Sequence, residues 1–449
     1  MKIFKRIVLV VLLLVIGTAI YNYPKLNIIS GYAAKNMASS VFIADRTAAS
    51  VTENDNNVPL IKLAKVSVDE EAKTATASVF GLMERTAVYR EGLGCVLLNG
   101  EKSSIQKGIR PKRVRNDNDL PFPYGNKGTV DTVFSNVDYA QLEKALDQVF
   151  SKPETRKTRT ALVVYKGHII GERYLDGFTK DTPILGWSMT KSILATLYGI
   201  LAYQGKIDID TYKPFKEHPD PDLIGKDPRE GITLDHLLRM QSGLAWDEDY
   251  GSISDVTQML FLESDMTKAQ GQTEIATPPN TVRNYSSGTT NMLSGILRKQ
   301  FADHQAYLDF PYTELIDKIG MHSMLLETDL AGNFVGSSYG WANTRDWAKF
   351  GLLYLNKGNW NGTPIFDPSW VDYVTTPADA SKKAGAHFWL NAGGKHPDVP
   401  RDMFSVNGYQ GQRIFIIPSK DLVVVRTGLA EAPDFDANAF LSEVLAAIR

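Results

Sequence analysis

Two pairs of strand-like segments stand at opposite ends of a mostly helical stretch, and this arrangement constrains the fold more than any other feature of the chain. Thr160–Tyr165 and His168–Tyr174 flank a Lys166–Gly167 turn and read as a hairpin. Arg413–Pro418 and Leu422–Arg426 read as a second pair, with a closing helix over Asn438–Ile448, and Tyr139–Leu146 reads as a helix ahead of the first pair. Strands and helices do not alternate, which argues against a doubly wound parallel sheet. The expected class is α+β: an antiparallel β-sheet flanked by helices, with an inserted helical subdomain.

At 449 residues, 43% hydrophobic and 22% charged, the chain is ordinary globular material for two or three compact units. Ala64–Val68 and Thr74–Phe80 alternate at period two as short strands, and a turn-rich run over 116–125 marks a boundary. The expected organisation is a targeting segment over 1–24, a β-rich extension over 25–122 and a main domain over 123–449.

A serine and a lysine one turn apart open an apolar helix at Ser188-Met189-Thr190-Lys191. Ile193, Leu194, Leu197, Ile200 and Leu201 form the buried stripe, and Gly205 ends the run. Residues three apart on a helix are neighbours, so the Lys191 amine can reach the Ser188 hydroxyl. Burial and the positive end of the helix dipole both disfavour an ammonium there, and a neutral lysine can take the proton of a nucleophilic serine. Ser104–Lys107 has the same spacing without an apolar stripe after it, and serves as a control.

Met1–Arg6 is basic and Ile7–Ile20 is apolar apart from Gly17 and Thr18, which reads as an export signal or a membrane anchor. The run is short for about 30 Å of hydrocarbon, which favours a signal, with cleavage after Ala19 and retention both open. Export would place the protein in the periplasm, or on a membrane facing outside the cytoplasm. Cys95 is the only cysteine, so no intrachain disulfide forms. His218, His236, His304 and His322 show no compact ligand spacing, and neither a metal nor another cofactor is expected. A formal net charge of −2 offers nothing to nucleic acid.

Two further elements carry chemistry. Asn284-Tyr285-Ser286-Ser287-Gly288 forms a turn ahead of an apolar helix, where Tyr285 can relay a proton and Ser287 can hydrogen-bond Lys191 or a leaving group. Asn407-Gly408-Tyr409-Gln410-Gly411-Gln412 precedes the strand beginning at Arg413, and its glycines let backbone approach a substrate closely. The backbone N–H groups of Ser188 and Gln412 are the candidate oxyanion donors. Trp246, Tyr250, Trp341 and Trp389 either line an apolar pocket or belong to the core.

Together these elements resemble the serine β-lactamase and penicillin-recognising hydrolase superfamily, in the branch of class C β-lactamases, D-alanyl-D-alanine peptidases, esterases and 6-aminohexanoate-dimer hydrolases. The resemblance runs from about Pro123 to the C-terminus, preserves motif order through Ser188–Lys191, Tyr285–Ser287 and Tyr409–Gly411, and extends to Ile232–Leu244 and Gly340–Gly351 as scaffold. It implies Ser188, Lys191 and Tyr285 as catalytic residues, with Ser287, Tyr409, Gln410 and Gly411 against the substrate. Two departures stand out: Ser287 replaces an asparagine, and Tyr409-Gln410-Gly411 replaces Lys/His-Thr-Gly, a pattern that helps hold a substrate carboxylate. Arg413 either supplies that charge or faces water. The expected function is hydrolysis of a small ester or amide through an acyl-serine. The alternatives are a D-alanyl-D-alanine peptidase or β-lactamase, and a catalytically silent binding or regulatory protein of the cell envelope.

Overall fold

A computed structural model describes residues 2–100, 108–115, 118–125, 127–216 and 225–449. The control motif Ser104–Lys107, His218 and part of the turn-rich run lie outside the described residues. The chain divides into two compact units. One comprises Met1–Ile105 with Asp247–Asp265 and Asp329–Gly332; the other comprises Gln106–Trp246, Met266–Thr328 and Asn333–Arg449.

The first unit is a helix laid on a meander. α1 (Lys2–Phe42) is followed by β1 (Ala64–Asp69), β2 (Thr74–Val79), β3 (Leu82–Arg90) and β4 (Gly94–Leu97), which pair in that order, all antiparallel. The two short strands expected from period-two alternation are present. The β-rich reading of 25–122 needs correction, however, because α1 continues through Pro24 to Phe42. Its buried residues mix large side chains, Ile28, Ile29, Tyr32 and Met37, with Ser30, Ala33, Ala34 and Ala38, small residues that let a helix lie close on a sheet. The side chains described between Ile3 and Ile20 are exposed, and this is one helix long and apolar enough to cross a membrane.

The second unit is built on an antiparallel sheet with helices on both faces. α2 (Tyr139–Phe150) leads into β5 (Thr158–Tyr165) and β6 (His168–Tyr174). The chain then runs through α3 (Met189–Tyr203), α4 (Ser287–Arg298) and α5 (Thr344–Leu355). It returns as β7 (Trp389–Leu390), β8 (Phe404–Gly408), β9 (Gln412–Ile417) and β10 (Leu422–Gly428), and closes with α6 (Ala437–Ala446). The strand order is β7-β8-β9-β10-β5-β6, so the terminal strand pairs with the first one across the whole inserted helical region. Alternation along each strand separates the two helical layers. Val163, Phe415 and Val424 pack with Leu142 and Leu146 of α2 and with Phe440 and Val444 of α6. Val423 and Ile414 face α5, where a Cβ on Gly351 would lie 2.7 and 2.9 Å from their methyl groups.

Candidate active site

α3 begins at Met189, one residue after the serine expected to open it. Ser188 is its N-cap with no capping bond of its own, which leaves the hydroxyl free for other chemistry. The Ser188 N–H meets no acceptor among the described residues, so an orphan donor of the helix terminus is available at the same residue. The segment feeding it is tightly specified. Trp187 is held at φ +48, and a Cβ on Gly186 would lie 2.4 Å from the Trp347 ring.

Lys191 is 2% exposed and surrounded by oxygen: its Nζ lies 3.0 Å from Ser188 Oγ, 2.8 Å from Ser287 Oγ and 2.8 Å from the Ser337 carbonyl. The carbonyl can only accept, which fixes one amine proton on it. Ser337 is itself fixed, its N–H donating to Asn291 Oδ1 at 3.0 Å from α4. Ser287 sits in the first turn of α4 because Ser286 caps that helix, accepting from the Thr289 N–H at 2.9 Å. Lys191 Nζ also lies 5.1 Å from the centre of the Tyr285 ring. Thus Ser188, Lys191, Tyr285 and Ser287, separated by nearly a hundred residues of sequence, come together.

Tyr285 is half-buried, its ring 5.5 Å from that of Trp389. Arg283 spans both, 5.7 Å above Tyr285 and 5.0 Å above Trp389, with its buried Nε lacking a hydrogen-bond partner. Of the aromatic residues singled out from sequence, Trp389 is at the site and Trp246 packs on Gly288, beside Ser287. Trp341 belongs to the core, with its indole N–H donating to Glu327 at 3.2 Å. Tyr250 belongs to the first unit.

The 407–412 segment divides differently from the expectation: Asn407 and Gly408 complete β8, Tyr409–Gly411 form a tight turn, and β9 starts at Gln412. Gln410 adopts φ +61 and Gly411 φ +82. A Cβ at Gly408 would lie 2.0 Å from the Gly186 carbonyl oxygen, so this strand end lies directly on the segment that delivers Ser188. The Tyr409 ring packs edge-on against Trp187 at 5.6 Å. Gln412 is locked by its side chain, donating to Gly428 O at 2.6 Å and accepting from the Gly428 N–H at 3.1 Å. Arg413 does not face water: it is half-buried, donates to the carbonyls of Gly408 and Gln412 at 2.6 and 2.8 Å, and approaches Glu431 at 3.9 Å.

Sequence reasoning missed two supporting residues. Arg426, read only as the end of a strand, is fully buried and donates to the carbonyls of Gly411 and Ala430 at 3.0 and 3.1 Å and to Thr158 Oγ1 at 3.0 Å. Burial first, and then the neighbouring Arg413 and Arg159, pull its guanidinium down to about 9, still cationic at neutral pH. His387 lies behind Lys191. Its Nδ1 is 2.6 Å from the Leu238 carbonyl, which requires a proton on Nδ1, so Nε2 accepts from Thr290 Oγ1 at 3.0 Å. Burial drives it down to about 3, against the Leu238 hydrogen bond, which acts in the opposite sense, and so keeps the ring neutral. No local motif marks either residue; a buried arginine in an apolar strand is the one signal that was present.

Among the described residues, no group of three or more His, Cys, Asp or Glu side chains comes together as a metal site. His236 instead caps a helix, its Nδ1 accepting from the Thr233 N–H at 3.1 Å.

Comparison with known proteins agrees with this architecture. The Beta-lactamase family model matches residues 146–442. A 6-aminohexanoate-dimer hydrolase of Paenarthrobacter ureafaciens is 23% identical over 327 residues, covering 66% of this chain and 78% of that protein. Among solved structures, a Bacillus anthracis protein provisionally named a 6-aminohexanoate-dimer hydrolase superposes with a TM-score of 0.58 at 20% identity, over 76% of this chain and 90% of that one. A family VIII carboxylesterase superposes with a TM-score of 0.55 at 15% identity, over 69% and 96%. With its antiparallel sheet, its inserted helices and a match over most of the second unit, this chain belongs to the Beta-lactamase family and is a hydrolase of that family.

Proposed function

We propose that the protein is an exported serine hydrolase that cleaves a small ester or amide through an acyl-enzyme on Ser188. The observation that carries this reading is the environment of Lys191: a deeply buried amine within hydrogen-bond distance of Ser188 Oγ, Ser287 Oγ and the Ser337 carbonyl. With its two N–H bonds directed at Ser337 and Ser287, a neutral Lys191 keeps its lone pair for the Ser188 proton. Ser188 Oγ then adds to the carbonyl carbon, and the oxyanion is held by the orphan N–H of Ser188 and the N–H of Gln412. Lys191 Nζ lies 5.1 Å and the Arg283 guanidinium 5.7 Å from the centre of the Tyr285 ring; once Lys191 has taken the Ser188 proton both are cationic, and Tyr285 passes its proton to the leaving group and recovers one from the Lys191 ammonium. Water releases the acid by the same groups in reverse.

Tyr409, Gln410 and Gly411 would line the substrate, with Trp389 and Trp246 as apolar walls. The engagement of Arg413 with backbone carbonyls supports a substrate held by shape and apolar contact on that side. The basic start and apolar run of α1 support export, with α1 as signal or anchor, and the catalytic machinery falls within 123–449.

The test is pre-steady-state release of nitrophenol from a short-chain nitrophenyl ester. Wild type is expected to give a burst equal to the enzyme concentration, and Ser188→Ala none, with turnover reduced on the order of 10⁶-fold if chemistry limits. A burst that survives in Ser188→Ala would refute the assignment. Stable acylation by penicillin would instead indicate a β-lactam or D-alanyl-D-alanine substrate class.

A further inference from the structure

Apart from Ile253, the exposed large apolar side chains of the first unit belong to α1 before Lys25 and to the residues around the start of β1 and the β2–β3 turn. Phe42 of α1 packs 6.1 Å from Tyr89, a Cβ at Gly31 would lie 3.3 Å from Leu97, the register partner of Ala87, and Asn27 Oδ1 accepts from Arg85 at 2.6 Å. Followed backwards, α1 therefore crosses β3 obliquely from residue 89 past 87 to 85, about 22 Å of helix over about 13 Å of strand, and its bare segment leaves on the side where β3 begins. That end of the sheet carries the Phe80–Gly81 turn, with Val79 paired to Leu82 on one side and to Ala64 on the other. The residues leading into β1 also pack on α1 there.

Four large apolar side chains stand in solvent at this end: Phe80 is 77% exposed, Leu60 53%, Leu82 46% and Leu63 41%. Ser78–Met83 carries no charge; the flanking exposed charges on the β1 side, Lys62 and Lys65, are basic, and Glu84 follows on the β3 side. The turn has φ +52 at Phe80 and +75 at Gly81, a geometry suited to Asn-Gly. An aromatic at the first position costs about 1–2 kcal/mol in backbone strain. An exposed aromatic held at such a cost points to a contact outside the unit.

The helix marks the same level. Tyr21 and Tyr23 are exposed and Lys25 Nζ lies 4.2 Å over the Tyr21 ring, the aromatic and cationic collar typical of a membrane interface. From the Asn27–Arg85 contact, Leu82 lies about 10 Å further along the strand and Tyr21 about 9 Å further along the helix. The uncharged stretch Ile7–Tyr23 rises about 24 Å, short of the roughly 30 Å of hydrocarbon, and Lys5, Arg6 and Lys25 at its ends have stems long enough to reach the two interfaces. The helix also continues unbroken through Ala19 into the segment packed on the sheet.

We propose that α1 is retained as an anchor and that the same bilayer receives the Phe80–Gly81 turn: Phe80, Leu82, Leu60 and Leu63 insert at the boundary of headgroups and acyl chains, with Lys62 and Lys65 against anionic headgroups. This rests on the anchoring reading of α1 and adds a second membrane contact that fixes the orientation of the first unit on the lipid surface.

The experiment uses the full chain in vesicles of phosphatidylcholine and phosphatidylglycerol, with a spin label on a single introduced cysteine. Cys95 is buried, and unmodified protein carried through the labelling checks that it stays unlabelled. Labels at Phe80→Cys and Leu82→Cys are expected to be open to oxygen and protected from a water-soluble nickel chelate. A label at Glu71→Cys, in the turn at the opposite end of β1 and β2, is expected to behave in reverse. Nickel-accessible labels at both 80 and 82 overturn the proposal. A label at Leu13→Cys separates the two failures: protected there with 80 and 82 in water, only the second contact is refuted; accessible there as well, the anchor itself is refuted.

Discussion

At the scale of single residues, the site is governed by what burial does to groups that would rather be solvated. His387 is held neutral by burial, with its donor on Leu238 and its acceptor on Thr290. Its proton affinity is lower folded than unfolded, about 3 against 6.5, so the unfolded chain binds more protons between those values. The sign follows: the contribution of His387 is fully present above pH 6.5 and is lost as pH falls toward 3, at about 1.4 kcal/mol per pH unit. His236, His322 and His396 are lowered in the same sense, by burial first, and steepen the acid limb. In His387→Asn, which keeps a donor for Leu238, the fall of Tm between pH 6.5 and 4 is expected to be shallower than in wild type. An unchanged acid limb would show that His387 is not neutral in the folded protein. Ser188, Lys191, Tyr285 and Ser287 were legible as candidates because their spacing and flanking helices are local. Arg426 and His387 were not, since their roles consist of bonds to carbonyls on other segments.

Elements set the position of those residues. β8 ends at Gly408 against Gly186, so the strand end and the entry to α3 touch through backbone alone. In Gly408→Ala the methyl group would overlap the Gly186 oxygen and push the two apart, costing about 1–3 kcal/mol. A displacement of about 1 Å at the nucleophile costs on the order of 10²-fold in rate. Gly408→Ala is therefore expected to lower Tm and to slow the acylation burst at least tenfold; a normal burst would show that this contact does not position Ser188. The hairpin β5–β6, the pair β9–β10 and α3 are close to their sequence-based expectations because each is a local pattern bounded by a turn. α1 was legible only as an apolar N-terminal run. Its continuation past Pro24 is buried on several sides, with Ala, Ser and Lys35 among the larger apolar side chains, and so shows little hydrophobic period.

At the scale of the whole molecule, the first unit is assembled from three separate stretches of chain. The helix Asp255–Leu262 buries Val256, Met259, Leu260 and Phe261 within it, and Phe261 lies 5.2 Å from Tyr32 of α1. A chain begun after residue 105 would expose those side chains, and is expected to bind an apolar dye and to self-associate on size-exclusion chromatography. Removal of 1–20 alone deletes exposed helix, and calorimetry is expected to show an unchanged Tm. A soluble, dye-negative truncation at 105 would refute this account of the first unit.

By itself the sequence determined the class of fold, the main strand pairs and the candidate Ser188–Lys191 motif, because hairpins, an apolar helix stripe and an S-x-x-K spacing are all encoded within a few residues of one another. Only the tertiary structure decided that Lys191 is ringed by Ser188, Ser287 and Ser337, that Arg426 and Gln412 lock the turn after β8, and that α1 belongs to a unit shared with residues 247–265. These are contacts between segments tens to hundreds of residues apart. They are selected by close packing and by the cost of leaving a buried polar group unpaired, and neither leaves a local pattern to read.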